Sequence, residues 1–249
     1  MLNNTARLVA TLFFTAIGAH AAAQDVPAWQ VDDFAVTYGA KVGIARGETR
    51  LEMRRLVDNE FIIESWTELR GIVSLFKRGT IYERARFDYV DGDILTRSFE
   101  RRDDISGEDR NVEVDYDWAT GQATVTYQGV TTTYPIEPGV SNTLVMQVEL
   151  MQSLSTGDRP EWLDVVGHKG RLRFDVTYEG QDAIQIDDQV QELFCYSHSR
   201  RDSGIRTTFW AEPERSHLPL KARIEKNEKL RGQLTLIGDV ASSTSRASD

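Results

Sequence analysis

Apolar and polar residues alternate along much of the chain, most regularly over residues 111–118, where three acidic residues occupy polar positions. The apolar positions of this stretch are Val112, Val114, Tyr116 and Trp118. Because successive side chains of a β-strand point to opposite faces of a sheet, the pattern predicts a strand with one buried and one solvent-facing side. Residues 123–127 and 131–134 follow after short glycine-containing turns, so the three segments predict an antiparallel meander.

The same period of two recurs in other parts of the chain. Residues 171–178 and 218–225 predict antiparallel strands with one wet face. Further strands, separated by Gly, Asp and Asn turn signals, are predicted at 34–38, 44–55, 61–69, 82–89, 94–101, 193–198, 205–210 and 233–237. Residues 158–170 and 179–192 have weaker periodicity and are predicted to be loops or short irregular strands. About a dozen strands at this spacing predict a mainly β fold, an antiparallel sheet that curls on itself or forms an open barrel.

One segment has helical periodicity instead. It begins near Ser141 and Asn142, both residue types that cap helices well, and its apolar stripe ends before Gly157. We predict a helix around 142–154 that covers the sheet, because its apolar stripe needs an apolar surface and the sheet is the only candidate. A shorter helical turn is predicted at 71–77.

The two ends of the chain differ from the rest. Residues 1–23 hold Arg7, a short apolar run and then small residues, the layout of a secretory signal peptide. The run is shorter than the ~20 residues that span a bilayer, so no permanent membrane anchor is expected. The absence of a cysteine at the cleavage site argues against lipidation, and a periplasmic location is expected. Residues 24–240 are predicted to form a single β-rich domain, and residues 241–249 a disordered tail.

Charge and cysteine content narrow the function classes. The formal net charge of −10 makes a nucleic acid an improbable partner. A basic stretch at 84–102 is interleaved with acidic residues and is typical of a solvated surface of mixed charge. Cys195 is the only cysteine, which excludes an intrachain disulfide, so core packing must hold the fold.

The sequence contains no convincing set of catalytic or metal-binding residues. His168, His198 and His217 are widely separated and lack a metal-ligand spacing. Cys195 and His198 are three apart in a predicted strand, which places them on opposite faces and favours a buried structural cysteine. The sequence has no phosphate-binding or dinucleotide-binding glycine motif. We therefore predict no catalytic residue, no metal and no cofactor.

Two further features superficially suggest catalysis. Ser141 lies two positions after Gly139, as the serine of a nucleophile elbow does. The second glycine and the preceding strand of that motif are missing, so a helix-capping role is the better interpretation. Asp115 and Asp117 share one strand face and could share a proton or hold a hard cation. That face is predicted to be solvent-exposed, which favours an ordinary polar surface.

The aromatic residues suggest binding. They supply more apolar bulk than a flat sheet under one short helix would easily bury, so a curved sheet enclosing an apolar cavity is one interpretation and a filled core is the other. The residues predicted to line such a cavity and bind a ligand are Trp66, Phe76, Trp118 and Trp210.

Several short segments resemble an exported bacterial family, domain of unknown function 3108. They are residues 38–43 (YGAKVG), 82–87 (YERARF), 112–118 (VEVDYDW), 134–136 (YPI), the helix after 140–141, 208–213 (TFWAEP) and 217–220 (HLPL). The resemblance implies a β-rich envelope protein, similar in outline to the curled sheets of bacterial lipoprotein carriers, and it brings no catalytic residues. Where it implies an acidic residue ahead of the helix, this chain has Asn142, which preserves capping but not a charge.

Three functions are compatible with these features. The leading hypothesis is a non-enzymatic periplasmic protein that binds or carries an apolar or amphipathic envelope component, with the helix as lid or plug. The second is a protein–protein interaction module that docks an envelope assembly through an exposed strand or the acidic face. The third, ranked last, is a hydrolase that acts on envelope glycans through pairs of acidic residues.

Overall fold

The computed structural model describes residues 28–71, 79–105, 110–186, 188–200 and 202–239. Over these residues it contains fifteen strands, one α-helix, α1 (Val145–Thr156), and a 3-10 turn at Pro213–Arg215. The strands are β1 (Phe34–Val42), β2 (Ala45–Val57), β3 (Glu60–Arg70), β4 (Thr80–Val90), β5 (Asp93–Asp103), β6 (Val112–Asp117), β7 (Gln122–Tyr127), β8 (Val130–Pro135), β9 (Val140–Ser141), β10 (Trp162–Gly167), β11 (Gly170–Ile186), β12 (Gln189–Arg200), β13 (Ile205–Glu212), β14 (Leu218–Lys226) and β15 (Lys229–Asp239).

The strands form one continuous sheet. Its order is β8-β7-β6-β5-β4-β3-β2-β1-β15-β14-β13-β12-β11-β10-β9. The chain therefore enters in the middle at β1, meanders outward to β8, restarts on the opposite edge at β9 and meanders back to β15, which pairs with β1. Neighbouring strands are antiparallel except β9 and β10, which α1 connects in parallel.

The two edges of this sheet face each other. Residues 136–139 are all that separates β8 from β9, and so short a link spans at most about 18 Å. Side chains also cross the gap. The Tyr116 hydroxyl donates to the carbonyl oxygen of Ser141 at 2.8 Å. The Tyr134 ring packs so closely on Gly170 that a Cβ there would lie 3.2 Å from a ring carbon. The predicted curled, open, mainly β fold is confirmed.

The period-two pattern is confirmed at residue level. Residues of β6 alternate strictly between buried and exposed. In β11, Leu172, Phe174 and Val176 point into the curl while Arg171 and Arg173 are exposed. The alternation in sequence thus decides which side chains face the interior.

The prediction for 158–170 is confirmed, since this segment contains the short strand β10 between turns, but the prediction for 179–192 was wrong, because these residues belong to the long strands β11 and β12. The physical reason is a register shift between Tyr178 and Gly180, where Gly180 adopts φ +84°. A bulge of this kind moves the following side chains to the other face and interrupts the alternation. Beyond the bulge, polar residues such as Gln181 and Asp182 also occupy both faces of the strand.

Helix α1 packs on the concave face of the curled sheet, so the predicted covering helix is confirmed, and the helix lies inside the curl. Its residues Val145, Val148 and Met151 belong to a core cluster built mainly from β1–β7. Its residues Met146, Leu150 and Leu154 pack with β10–β13 around Tyr196. Because two faces of α1 are buried against two halves of the sheet, the helix acts as a wedge that fills the interior.

The helix starts later than predicted. Asn142 Oδ1 accepts the backbone N–H groups of Leu144 and Val145 at 2.8 and 3.0 Å, so its predicted capping role is confirmed. The prediction that Ser141 caps the helix was wrong, since Ser141 belongs to β9 and its hydroxyl bonds Glu149. Gly157 ends the helix, and its N–H donates to the Leu154 carbonyl oxygen.

Three predicted segments lie outside the described residues. They are the leader at 1–23, all but the first residue of the helical turn at 71–77, and the tail at 241–249. No helix in the described part of the chain combines the length and apolarity needed to cross a membrane.

Candidate functional site

A cavity of about 610 Å³ lies between the two halves of the curled sheet, next to the start of α1. This volume is in the range that holds small-molecule ligands. Asn142 and Thr143 form part of its wall. Its apolar walls come from inward positions of strands on both sides of the gap: Phe99, Val112, Tyr127, Val165, Leu172 and Phe174.

The remaining wall is basic. Four cationic side chains line it against one acidic side chain, Glu83. We call the four the basic rim: Arg101, Arg110, Lys169 and Arg200. Burial lowers the pKa of the neighbouring His168, and the positive charges of Lys169, Arg101 and Arg110 lower it further. The cavity therefore joins an apolar interior to a locally positive rim.

The cations of the rim differ in how they are paired. Arg101 bonds Glu83 at 2.8 Å and Asp103 at 3.0 Å, so its charge is largely balanced. Arg200 pairs with the exposed Asp202 at 2.6 Å. Lys169 is exposed and makes no ion pair with a residue that the structure describes. A ligand anion could therefore replace solvent around Lys169 without breaking an ion pair.

A buried polar cluster lies beside the cavity where β9 meets α1. Burial raises the pKa of Glu149 to about 8, although its hydrogen bond to the Ser141 hydroxyl at 2.9 Å acts in the opposite direction. Burial and the nearby Glu149 also raise the pKa of Tyr116. Within the described residues, Glu149 Oε1 and Asn142 Nδ2 have no hydrogen-bond partner. Glu149 is therefore mostly protonated at neutral pH, because an ionised carboxylate in this apolar setting would be costly.

The histidine beneath the cavity wall is also held neutral. His198 packs edge-on against Phe174, a cavity residue, with ring centroids 5.2 Å apart, and against Phe209 at 5.1 Å. Burial lowers its pKa to about 4. Cys195, on the opposite face of the same strand, is buried and its thiol pKa is raised to about 11, so the thiol is unreactive at neutral pH.

The four aromatic residues predicted to bind a ligand do not come together. Trp66 shares its strand face with Glu64 and Glu68 and lies under Arg50, 5.6 Å from the ring. Trp118 donates to the Thr96 carbonyl oxygen at 2.8 Å and packs on the core.

Trp210 donates to Asp182 at 2.7 Å and packs on the cluster of Ile186, Leu193 and Leu220. Phe76 lies outside the described residues. None of the three described tryptophans lines the 610 Å³ cavity.

The predicted acidic pair lies on the exposed face of β6, and Asp117 stabilises the turn that follows it. Asp115 and Asp117 are both exposed, and Asp117 accepts the backbone N–H groups of Ala119 and Thr120 at 3.0 and 3.2 Å. The Thr120 hydroxyl first, and then these backbone N–H groups, lower the pKa of Asp117. In the part of the chain that the structure describes, no three His, Cys, Asp or Glu side chains cluster closely enough to hold a metal ion.

The sequence did not predict a ligand-binding role for Phe99, Tyr127, Leu172, Phe174 or the basic rim. Alternation identified most of the apolar ones as inward positions. It did not show which inward positions α1 leaves uncovered, because that depends on how far the helix extends along the sheet. The rim cations are separate in sequence and gave no local signal.

Comparisons with known proteins support the fold. The sequence profile described as "Protein of unknown function (DUF3108)" matches residues 33–228. A solved structure of a beta-barrel-like protein of domain of unknown function DUF1849 from Brucella abortus is similar with a TM-score of 0.55 at 9% identity. The alignment covers 86% of this chain and 100% of that one. Among curated proteins, none matches the sequence.

Proposed function

The chain belongs to the DUF3108 family of proteins of unknown function, and we propose that it is a non-enzymatic protein that binds or carries an apolar or amphipathic molecule. The observation that carries this proposal is the 610 Å³ cavity with apolar walls between the halves of the sheet. Its site residues are the cavity walls rather than an acid–base or nucleophilic set.

The physical driving force is the removal of apolar surface from water. Leu172, Phe174 and Tyr127 are only partly buried, so their exposed surface would be covered by a ligand. Each Å² of apolar surface covered contributes about 25 cal/mol. Since the wall side chains stand on strands of one sheet, the cavity is largely preformed, which limits the entropy lost on binding.

The proposed compartment rests on the leader. Residues 1–23 have the layout of a secretory signal peptide, which supports export to the periplasm. In that compartment the abundant apolar molecules are components of the cell envelope. The proposed role is thus to shield such a component from water.

A mass measurement tests this function. The protein is purified from a periplasmic extract, and its mass is measured under native and denaturing conditions. We expect an adduct that is present in the native mass and lost on denaturation. Leu172→Trp, which fills the cavity, is expected to abolish the adduct.

The matched control is Leu230→Trp, the same substitution at an exposed residue of β15 outside the cavity. It is expected to keep the adduct. A bare native mass for the wild-type protein, or equal retention by both variants, would contradict the proposal.

A second function has one observation in its favour. Strand β8 is an edge of the sheet, and its residues Val130, Thr131, Thr132 and Thr133 are exposed. An unpaired edge can accept an extended segment of a partner protein as an added strand. This function predicts a stable crosslinked complex in intact cells that Val130→Lys weakens, together with an empty interior.

A further inference from the structure

We propose that the ligand is an anionic amphiphile, with its carboxylate or phosphate at the basic rim and its apolar chain between the walls of the cavity. This inference rests on the proposed function, because it names the chemical class of the molecule that the cavity holds.

The distribution of charge is the first argument. The whole chain has a formal net charge of −10. The cavity lining differs, with four cationic side chains and one acidic side chain, and two of the four cations also pair with Asp103 and Asp202 outside the lining. A neutral apolar ligand would gain nothing from such a rim, whereas an anion would gain charge-assisted hydrogen bonds.

The convergence of the cations is the second argument. Arg101 comes from β5, Arg110 precedes β6, Lys169 lies in the turn between β10 and β11, and Arg200 ends β12. Residues so far apart in sequence meet at one opening because the sheet curls. The basic character therefore belongs to the cavity and not to a single run of charged residues.

A ring contact positions Lys169. The His168 ring packs against the Tyr127 ring at a tilt of 40° with centroids 4.8 Å apart, which holds the β10–β11 turn against β7 across the gap. Lys169 is the next residue, so this contact holds its backbone beside the opening. Arg101 is already held by Glu83 and Asp103. We therefore assign anion binding chiefly to Lys169, with Arg110 as a second cation of the same lining.

The order of the surfaces fits an amphiphile. The exposed lining residues include Arg110 and Lys169, whereas Val165 and Val112 are 1% and 3% exposed. An amphiphile that enters with its chain first would keep its charged group at the solvent, where the desolvation cost is small. The same geometry disfavours a ligand with charges at both ends.

The test compares a charged probe with its uncharged analogue. The probes are cis-parinaric acid, a fluorescent fatty acid, and its methyl ester. For the wild-type protein we expect the acid to bind about tenfold more tightly than the ester. In the double variant Lys169→Glu with Arg110→Glu, we expect the affinity for the acid to fall about tenfold or more and that for the ester to change less than about twofold.

The double variant Lys229→Glu with Arg231→Glu is the matched control, because it reverses two exposed charges of β15 away from the cavity. It is expected to bind both probes as the wild type does. Unchanged ester binding also shows that the rim variant is folded. Displacement of the acid probe by lysophosphatidylglycerol, and not by lysophosphatidylcholine, would identify phosphate as a second accepted anion. Displacement by neither restricts the class to carboxylates.

The outcomes separate the two proposals. Equal affinities of the wild type for acid and ester, or an equal loss of both in the rim variant, would overturn the anionic class and leave the carrier function standing. Failure of both probes to bind to the wild type would overturn the carrier function itself.

Discussion

The interior of the curled sheet has two regions, one filled by α1 and one left open as the cavity. In the filled region, Val145, Val148 and Leu150 of the helix have no exposed surface, and neither have Phe61 and Phe87 of the sheet. In the open region, Tyr127, Leu172 and Phe174 of the same sheet remain partly exposed. The comparison shows that strands with similar patterns form a packed core where α1 covers them and a cavity where it does not.

Length explains the difference. Helix α1 has 12 residues, which corresponds to about 18 Å. The 17 residues of β11 extend over about 55 Å. One short helix cannot cover strands of this length, so part of the concave face stays without a partner. Leu172 and Phe174 lie in that part.

The largest expected effect comes from one substitution made in both regions. Leu150→Ala removes a side chain that is 0% exposed, and we expect it to lower the free energy of unfolding by about 2–5 kcal/mol. Leu172→Ala removes the same atoms beside existing space, and we expect a loss of about 1 kcal/mol or less. Denaturant unfolding at one pH measures both. Equal losses would contradict the division into two regions.

The next effect concerns the carboxyl that α1 carries into the interior. The pKa of Glu149 is raised to about 8 in the folded protein, from 4.5 in the unfolded chain. Between these values only the folded state holds the proton, so stability falls as pH rises through this window and levels off above it. We expect Glu149→Gln to remove this fall, giving a stability gain over wild type that grows from pH 5 to pH 8. A pH-independent difference between the two proteins would contradict the assignment.

A smaller effect of opposite sign is expected at His198. Its pKa is lowered to about 4 in the folded protein, from 6.5 in the unfolded chain, so stability falls as pH drops through this window. We expect His198→Phe to be more stable relative to wild type at pH 4.5 than at pH 7.5. Thermal unfolding at the two pH values measures the difference. A constant difference would show that the ring is not held neutral by burial.

The smallest effect is expected for ligand retention in the tryptophan variants. Trp66 and Trp210 lie outside the cavity lining, so we expect Trp66→Ala and Trp210→Ala to change the affinity for cis-parinaric acid by less than about twofold. Probe fluorescence measures this, and circular dichroism confirms that the variants are folded. A loss as large as that of Leu172→Trp would return the ligand site to these aromatic residues.

Much of the fold follows from local patterns in the sequence. Strand β6 shows the reason, because its buried and exposed residues alternate as its apolar and polar residues do. The bulge at Gly180 could not be predicted from the sequence, because a register shift depends on the partner strand. Its only local sign is the glycine itself. The inside position of α1 depends on the curl of the whole sheet, which no local pattern encodes.

The site was less predictable than the fold. Asn142 was recognised as a cap from its residue type and position, which are local properties. The cavity depends instead on the space between distant elements. Lys169 and Arg110 are 59 positions apart and become neighbours of one opening only after the sheet has curled. Their size and aromatic character led to the prediction that Trp66 and Trp210 bind a ligand, but both lie outside the cavity lining.

The most direct test of the central claim is an NMR titration of methyl-labelled protein with cis-parinaric acid. Ligand in the cavity is predicted to shift the methyl signals of Val112, Val165 and Leu172 while those of Val145, Val148 and Leu150 change little. Shifts confined to the methyl groups of α1, or no shifts at any of the six residues, would contradict the claim that the uncovered part of the curled sheet is the binding site.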